Sequence, residues 1–329
     1  MIGITGANGL LGSFIVRKLI EEDEKFIAFK RSSGDTSLLD DVSEKIEWRN
    51  LDLLDPVAMD DSLRGVTSLI HGAAMLSFSP RHAALLSRIN TEGTRNLVNA
   101  CLANGSTRFV YISSVAALGR TKGQLLIDER NKWVESTLHT GYATSKYYAE
   151  LEVFRGQEEG LSTVIVNPSV ILAPADWRKS SARLFKYVWD ERAFFIEGSL
   201  NYVDARDVAT VTLALLKSGM ENERFIVSAG ALSFKEFFDA VASRFGKKPP
   251  MIKLSRNFLK IVAGIEGVRA RIRGSEPSIT PETARLADTH FLYENKKIIK
   301  ALGLEFRGLE DTLDWCCRHY MQNFALKKE

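Results

Sequence analysis

Cysteine is scarce: the 329 residues hold three, Cys101, Cys316 and Cys317. The number is odd, no pair is spaced C-x-x-C, and the adjacent pair is awkward as a disulfide, so neither a disulfide framework nor a metal site is expected. A reducing cytoplasm fits this usage best. Long apolar runs are missing as well. None approaches the roughly 18 residues that read as a membrane span. The N-terminus lacks a basic region followed by a small-residue cleavage site, which again leads us to expect a cytoplasmic chain without a transmembrane segment. There is no excess of one charge: 44 Lys and Arg against 41 Asp and Glu give a formal +3. A strongly basic nucleic-acid binder is thereby excluded as the default. Internal repeats and low-complexity linkers are absent too. What the chain does have is length, more than one doubly wound sheet needs, so a nucleotide-binding domain with a smaller second lobe is the expected organisation.

The chain is organised around residues 5–12, Thr-Gly-Ala-Asn-Gly-Leu-Leu-Gly, which follow an apolar start (Met1, Ile2, Ile4) and precede a helix-like run. The glycines, Gly6, Gly9 and Gly12, are spaced Gly-x-x-Gly-x-x-Gly, where the common dinucleotide fingerprint is Gly-x-Gly-x-x-Gly. A strand that reverses tightly into a helix, with backbone close to a pyrophosphate, leaves no room for side chains at these points. The helix N-terminus adds free N–H groups and the positive end of a dipole. With Leu11, Ile15 and Leu19 on one helix face, the stretch reads as a phosphate-binding turn.

Residues 25–30 read as the second strand. Folds that prefer NAD usually end it in Asp or Glu, which binds the ribose 2′-hydroxyl. Here Lys30, Arg31, Ser32 and Ser33 stand in that place. Two cations and two hydroxyls suit a 2′-phosphate, so NADP rather than NAD is the expected cofactor. The bland reading of Lys30 and Arg31 is a solvated strand end. Residues 47–53 read as a third strand, with Asp52 either accepting from an adenine amino group or serving as a helix N-cap or turn acid before Pro56. Residues 66–74 form an apolar strand with a small-residue end, placing Ala73 and Ala74 beside the cofactor and making His71 structural. Residues 90–103 have helical spacing, with Gly105 as a stop. Residues 108–114 read as a strand ending in Ser113 and Ser114, at the strand end where open α/β sheets place their chemistry.

Tyr142 and Lys146 open a predicted helix at i and i+4, one turn apart on one face. A carbonyl reductase needs such a pair: the phenol gives its proton to the carbonyl oxygen as hydride arrives, and a nearby ammonium lowers the tyrosine pKa toward neutrality. A Ser114 hydroxyl would hold the same oxygen. Tyr293 and Lys297 repeat the spacing but lie in a C-terminal segment remote from the glycine turn, so the first pair is the candidate.

Together these residues resemble the extended short-chain dehydrogenase/reductases. The likeness rests on residues 5–12, Asp52, His71 to Ala74, Asn90 with Gly93 and Thr94, Ser113 and Ser114, Tyr142 with Lys146, and Asn167 with Pro168, and covers about residues 1–230. It implies a Rossmann sheet with a smaller, mostly helical C-terminal lobe, and hydride exchange with the nicotinamide. Tyr142 would be the acid/base, Lys146 would also bond the nicotinamide ribose, and Ser114 would be the carbonyl partner. The implied cofactor contacts are Gly6, Asn8, Gly9, Leu10, Leu11, Gly12, Lys30, Arg31, Ser32, Asp52, Leu53, Ala73, Ala74, Tyr142, Lys146, Pro168 and Val170. Asn90 either supports the site or starts a helix. Sugar-nucleotide dehydratases of the family carry an acidic pair after the strand-end hydroxyl, where this chain has Val115 and Ala116. Their epimerase relatives commonly show Tyr-Gly, where this chain has Leu118-Gly119. Residues 163–174 look more like dihydroflavonol reductases, cinnamoyl-CoA reductases and 3β-hydroxysteroid dehydrogenases, except that Ala173 replaces the usual Gly before Pro174.

The expected division is residues 1–170 with 201–229 as the NADP-binding domain, and 171–200 with 230–329 as the substrate lobe. After Pro174 the chain turns aromatic and basic, from Trp177, Arg178 and Lys179 through Phe185, Tyr187 and Trp189. At least half of these aromatics are expected to be core. Asp204 and Asp207 are read as structural. Residues 253–273 form a basic stretch with apolar positions between the charges, either a lid or a surface-binding helix. Residues 309–320 read as an amphipathic helix, and the final 327–329 as frayed. The leading expectation is an NADPH-dependent reductase of a ketone or aldehyde, a monomer or homodimer acting on a small-molecule carbonyl or alcohol. The alternatives are a nucleotide-sugar epimerase and a non-catalytic NADP-binding sensor.

Overall fold

The computed structural model describes residues 1–325 except 107, 122, 137, 178, 179 and 256–288. Seven strands make the main sheet: β1 (Ile2–Thr5), β2 (Phe26–Lys30), β3 (Glu47–Asn50), β4 (Ser68–His71), β5 (Arg108–Ile112), β6 (Thr163–Pro168) and β7 (Glu223–Val227). Their spatial order is β7-β6-β5-β4-β1-β2-β3, every pair parallel. Parallel strands flanked by helices are buried on both faces, which is why β5 and β6 read as near-continuous apolar runs and are buried throughout. The half-exposed Glu-Trp-Arg-Asn of β3 forms one edge.

Strand order reverses between β1 and β4, whose last residues, Thr5 and His71, lie side by side. Open sheets of this kind hold their ligands at that crevice. One face of the sheet is covered by the helices Leu10–Glu21 and Ala205–Lys217, burying Ile15, Leu19, Val208 and Leu215. The other is covered by Gly93–Ala103 and Gly141–Glu158, burying Leu97, Cys101, Ala149 and Val153. All three cysteines are buried and free.

The run 163–174 does not stay in one strand. At Ser169 the chain leaves the main sheet, and Val170–Leu172 pairs instead with Ser199–Asp204 in a three-stranded sheet completed by Gly230–Ser233. This sheet and the helices Ala182–Trp189, Phe234–Phe245 and Leu309–Ala325 share a second core containing Phe185, Phe237, Cys316 and Tyr320. Trp177, Tyr187 and Trp189 pack on that core, so the aromatic run is mainly structural. The helix Phe234–Phe245 is bounded by a reciprocal Ser233–Glu236 capping box and by Gly246 at φ +62°. Ala173 does not disturb the loop before Pro174, because the Tyr320 hydroxyl pins it, donating to the Ala173 carbonyl (3.3 Å) and accepting from the Ala175 N–H (3.1 Å). Of the basic stretch 253–273, residues 256–273 lie outside the described residues, as do Arg178, Lys179 and 327–329. No helix among the described residues is long and apolar enough to cross a membrane, and no group of three or more His, Cys, Asp or Glu is placed to hold a metal.

Candidate active site

The glycine turn is packed backbone against backbone. Gly6 has φ +71°, and a Cβ there would stand 2.6 Å from the Ala73 nitrogen. A Cβ on Gly12 would stand 1.9 Å from the Gly6 carbonyl oxygen. Gly9 is different: its Cβ would meet only that same oxygen at 3.2 Å, so its missing side chain leaves open space above the turn. The helix beginning at Leu10 has no side-chain cap, which leaves its first N–H groups to an outside acceptor. Asn8 ties the turn to the loop after β2 by donating to the Asp35 carbonyl (2.8 Å).

Lys30 reaches toward the Trp48 ring at 6.0 Å, while Arg31 and Ser32 are exposed on that loop. Asp52 is exposed, and one of its oxygens accepts from the Leu54 N–H (2.9 Å), a turn-acid role that leaves the helix cap before Pro56 to Asp55. Leu53 is buried against Gly93, and Pro168 and Val170 flank the point where the chain changes sheets.

A buried polar chain fixes this crevice. The Ala73 N–H donates to Thr5 Oγ1 (3.3 Å), which meets His71 Nδ1 at 2.7 Å; His71 Nε2 meets Thr94 Oγ1 at 3.0 Å, and Thr94 donates to the Asn90 carbonyl (2.5 Å). Because the Thr94 proton is committed to Asn90, His71 must donate from Nε2 and accept at Nδ1, the neutral tautomer. Burial, helped by Lys146, pushes its pKa down to about 3. His71 is thus structural, as its position at the strand end predicts. Asn90 lies in a π-helical turn (Ser87–Glu92) rather than at a helix start. Its side chain accepts from the Met75 N–H (2.7 Å) and donates to the Met75 carbonyl (2.9 Å) and Ser145 Oγ (2.9 Å), clamping the loop after β4 to the helix that carries Tyr142.

That helix starts at Gly141, capped by the Thr140 side chain accepting from the Ala143 N–H (3.1 Å). Tyr142 lies close enough to Ser114, just past the end of β5, for that hydroxyl to act on its phenol, and it has Phe78 edge-on at 6.2 Å; Ser114 Oγ itself accepts from the Ala116 N–H (3.1 Å). Burial pushes the phenol above its usual pKa and the Ser114 contact pulls it back. The expected lowering by Lys146 does not appear. The reason is geometric: Lys146 Nζ donates to the Ile112 carbonyl (2.8 Å) and lies 4.4 Å from the Tyr111 ring, and burial lowers its own pKa to about 7. The rival pair is dispersed: Tyr293 sits in the strand Leu292–Tyr293, while Lys297 lies in the following helix and binds Glu223 (2.6 Å).

Glu150 and Arg224, which motif reading passed over, join the motif residue Asn167 behind the site. Asn167 Nδ2 donates to the Ser114 carbonyl (2.9 Å) and to Glu150 Oε1 (2.6 Å), and Arg224 holds Glu150 Oε2 (3.0 Å). The available signal was the spacing Tyr142, Lys146, Glu150, a third residue on the same helical stripe.

With this geometry in place, the chain can be compared with known proteins. Residues 2–228 match the model of the NAD dependent epimerase/dehydratase family. A Synechocystis protein provisionally named dihydroflavonol 4-reductase is 27% identical over 331 residues, covering 99% of this chain and 95% of that protein. The crystal structure of gox2253 superposes with a TM-score of 0.83 at 31% identity, covering 98% of each chain. UDP-glucose 4-epimerase from Thermotoga maritima, solved with UDP-glucose, shares the fold, with a TM-score of 0.80 at 18% identity over 98% of this chain and 99% of that one. The chain belongs to the NAD dependent epimerase/dehydratase family, within the extended short-chain dehydrogenase/reductases.

Proposed function

We propose that the protein is an NADPH-dependent reductase of a ketone or aldehyde, with Tyr142 as proton donor. The observation that carries this reading is the convergence of the Tyr142 phenol on Ser114 at the carboxyl end of β5, with Lys146 one helical turn further along the same helix. A phenol held above its usual pKa keeps its proton at neutral pH, which a donor requires. The residues fit a dinucleotide, because the side-chain-free cradle over Gly9 and the uncapped helix start suit a pyrophosphate. Gly6, Asn8, Gly9, Leu10, Leu11 and Gly12 would hold it, with Ala73, Ala74, Pro168 and Val170 against the nicotinamide half and Asp52 and Leu53 toward the adenine. Lys30, Arg31 and Ser32 would hold the 2′-phosphate, the basis for preferring NADP. When bound, the cofactor supplies a hydride to the carbonyl carbon.

The chain's own residues do the rest. Ser114 Oγ orients the carbonyl oxygen, Tyr142 passes its proton to that oxygen to give the alcohol, and Lys146 holds the nicotinamide ribose. Val115 and Ala116, where a dehydratase has its acids, leave no carboxylate there to abstract a proton from a neighbouring carbon. The relative named as a reductase supports the same reading. The residues from 171–200 and 230–329 would shape a substrate pocket for a moderately large, apolar or aromatic carbonyl compound. The test is a carbonyl library monitored by NADPH absorbance. Tyr142→Phe should keep NADPH affinity and lose roughly 10²- to 10⁴-fold in turnover. Interconversion of nucleotide sugars with no NADPH consumed would overturn the reductase reading, and equal turnover in the variant would remove Tyr142 from its role.

A further inference from the structure

Glu150 is an acid with 0% of its surface exposed, in a helix otherwise packed by Ala149 and Val153. A buried carboxylate is costly unless its oxygens are met, and both are: Oε1 by Asn167 Nδ2 (2.6 Å), Oε2 by Arg224 Nη1 (3.0 Å). Each partner leads somewhere. Asn167 Nδ2 also donates to the Ser114 carbonyl (2.9 Å), so the carboxylate fixes the strand end that presents the Ser114 hydroxyl. Arg224, on β7, also holds the carbonyls of Glu129 and Asn131, and the Glu129 side chain accepts from the Ile226 N–H (2.9 Å). One acid therefore ties the helix of Tyr142 and Lys146 to the ends of β5 and β6, and through Arg224 to β7 and the loop at 129–131.

We propose that Glu150 is the positioning residue of this site: it holds Ser114 in place through Asn167, and its charge, one helical turn from Lys146, makes that side chain hold its proton to higher pH than burial alone would allow. The second part follows from what surrounds Lys146. On its own helix it faces Tyr142 and Glu150, across it lie Tyr111 on β5 and His71 on β4, and Arg224 on β7 stands behind Glu150. Tyr142, Tyr111 and His71 are neutral at pH 7, so the Glu150 carboxylate is the negative charge acting on Lys146. It acts through space, since both of its oxygens are engaged elsewhere. In agreement, burial lowers the Lys146 pKa to about 7 while Glu150 raises it.

The role of Lys146 in turnover rests on the reductase reading; its protonation can be measured without it. In the full-length protein with ¹³Cε-labelled lysine, the Lys146 resonance, assigned by its loss in Lys146→Arg, is titrated by NMR. Glu150→Gln should move the titration to lower pH by roughly one unit, whereas Asn167→Ala should leave it in place. In turnover, both substitutions should lower kcat, and only Glu150→Gln should shift the alkaline limb of the pH profile to lower pH, with Glu150→Asp restoring the limb. If Glu150→Gln does not fold, Glu150→Gln combined with Arg224→Gln removes both charges of the pair together, and Lys146 must still titrate lower because Glu150 shares its helix. An unmoved Lys146 titration overturns the proposal, as does an identical pH profile in Glu150→Gln and Asn167→Ala. A shifted titration in a protein that turns over no carbonyl would refute the reductase reading and leave the role of Glu150 standing.

Discussion

In the proposed reading, Arg31 is the side chain on which cofactor preference turns. It is exposed on the loop that follows β2, where its carbonyl closes a turn with the Gly34 N–H (2.8 Å) and Asn8 anchors the next residue, Asp35. The loop is therefore tied to the glycine turn, and with a dinucleotide bound as proposed a guanidinium on it would lie near whatever group extends from the adenine ribose. A charge-assisted hydrogen bond to phosphate is worth about 1.5–3 kcal/mol, so Arg31→Ala should weaken NADPH binding by roughly tenfold or more and leave NADH almost unaffected. Fluorescence titration of both cofactors measures this, and an unchanged ratio of affinities would reject the 2′-phosphate assignment. The position of Arg31, just past β2, was readable in advance because it follows a strand of obvious pattern. The pairing of Glu150 with Arg224 was not, because it joins positions 74 apart; the helical stripe of Tyr142, Lys146 and Glu150 marks the face but not the partner.

The turn between β1 and its helix shows that three glycines of one motif do different work. Gly12 faces backbone: a Cβ there stands 1.9 Å from the Gly6 carbonyl oxygen, and no side-chain rotation relieves that. Gly9 faces open space apart from one oxygen at 3.2 Å. Gly12→Ala should therefore cost about 3 kcal/mol of stability by forcing strand and helix apart. Gly9→Ala should fold nearly as well as the parent and still bind nucleotide poorly, because its methyl group fills the cradle. Urea denaturation set beside NADPH titration separates the two, and equal stability loss in both variants would mean that the turn is not packed as described.

The same contrast governs what the sequence disclosed about elements. The main-sheet strands through β6 followed from apolar runs, and the helix Gly93–Ala103 from its spacing and the Gly105 stop, which are local signals. The π turn at Ser87–Glu92 and the break at Ser169 were not visible, because each is set by a partner distant in sequence. Asn90 is held from Met75 and Ser145, and Val170–Leu172 is drawn off by Ser199–Asp204.

How the C-terminal segment returns to the main sheet bears on the whole chain. Asp204 is fully buried at the start of the helix Ala205–Lys217, and Arg206 grips it through Nε (3.0 Å) and Nη2 (2.6 Å) while also reaching Asp311 (3.2 Å). The same guanidinium lies 4.0 Å over the ring of Trp315, which meets Phe14 of the glycine-turn helix edge-on at 5.5 Å. Thr312 completes the set, donating to Asp204 (3.0 Å), and beside it Arg307 pairs with Asp207. The helix Leu309–Ala325 is thus clamped to the first lobe by one forked cation, an aromatic ring and a buried acid. Arg206→Ala leaves the Asp204 carboxylate with weaker donors and uncovers Trp315, a loss of about 2 kcal/mol. Arg206→Lys restores the charge without the planar fork and should recover part of it. Calorimetry should show Tm falling in the order parent, Arg206→Lys, Arg206→Ala. Hydrogen exchange in the alanine variant should accelerate across 309–325 well before it does in β1, β4 and β5, since contacts of the sheet interior are untouched. Exchange that rises equally in the helix and the central strands would show that Arg206 supports the fold as one unit and does not act as the fastening between its halves.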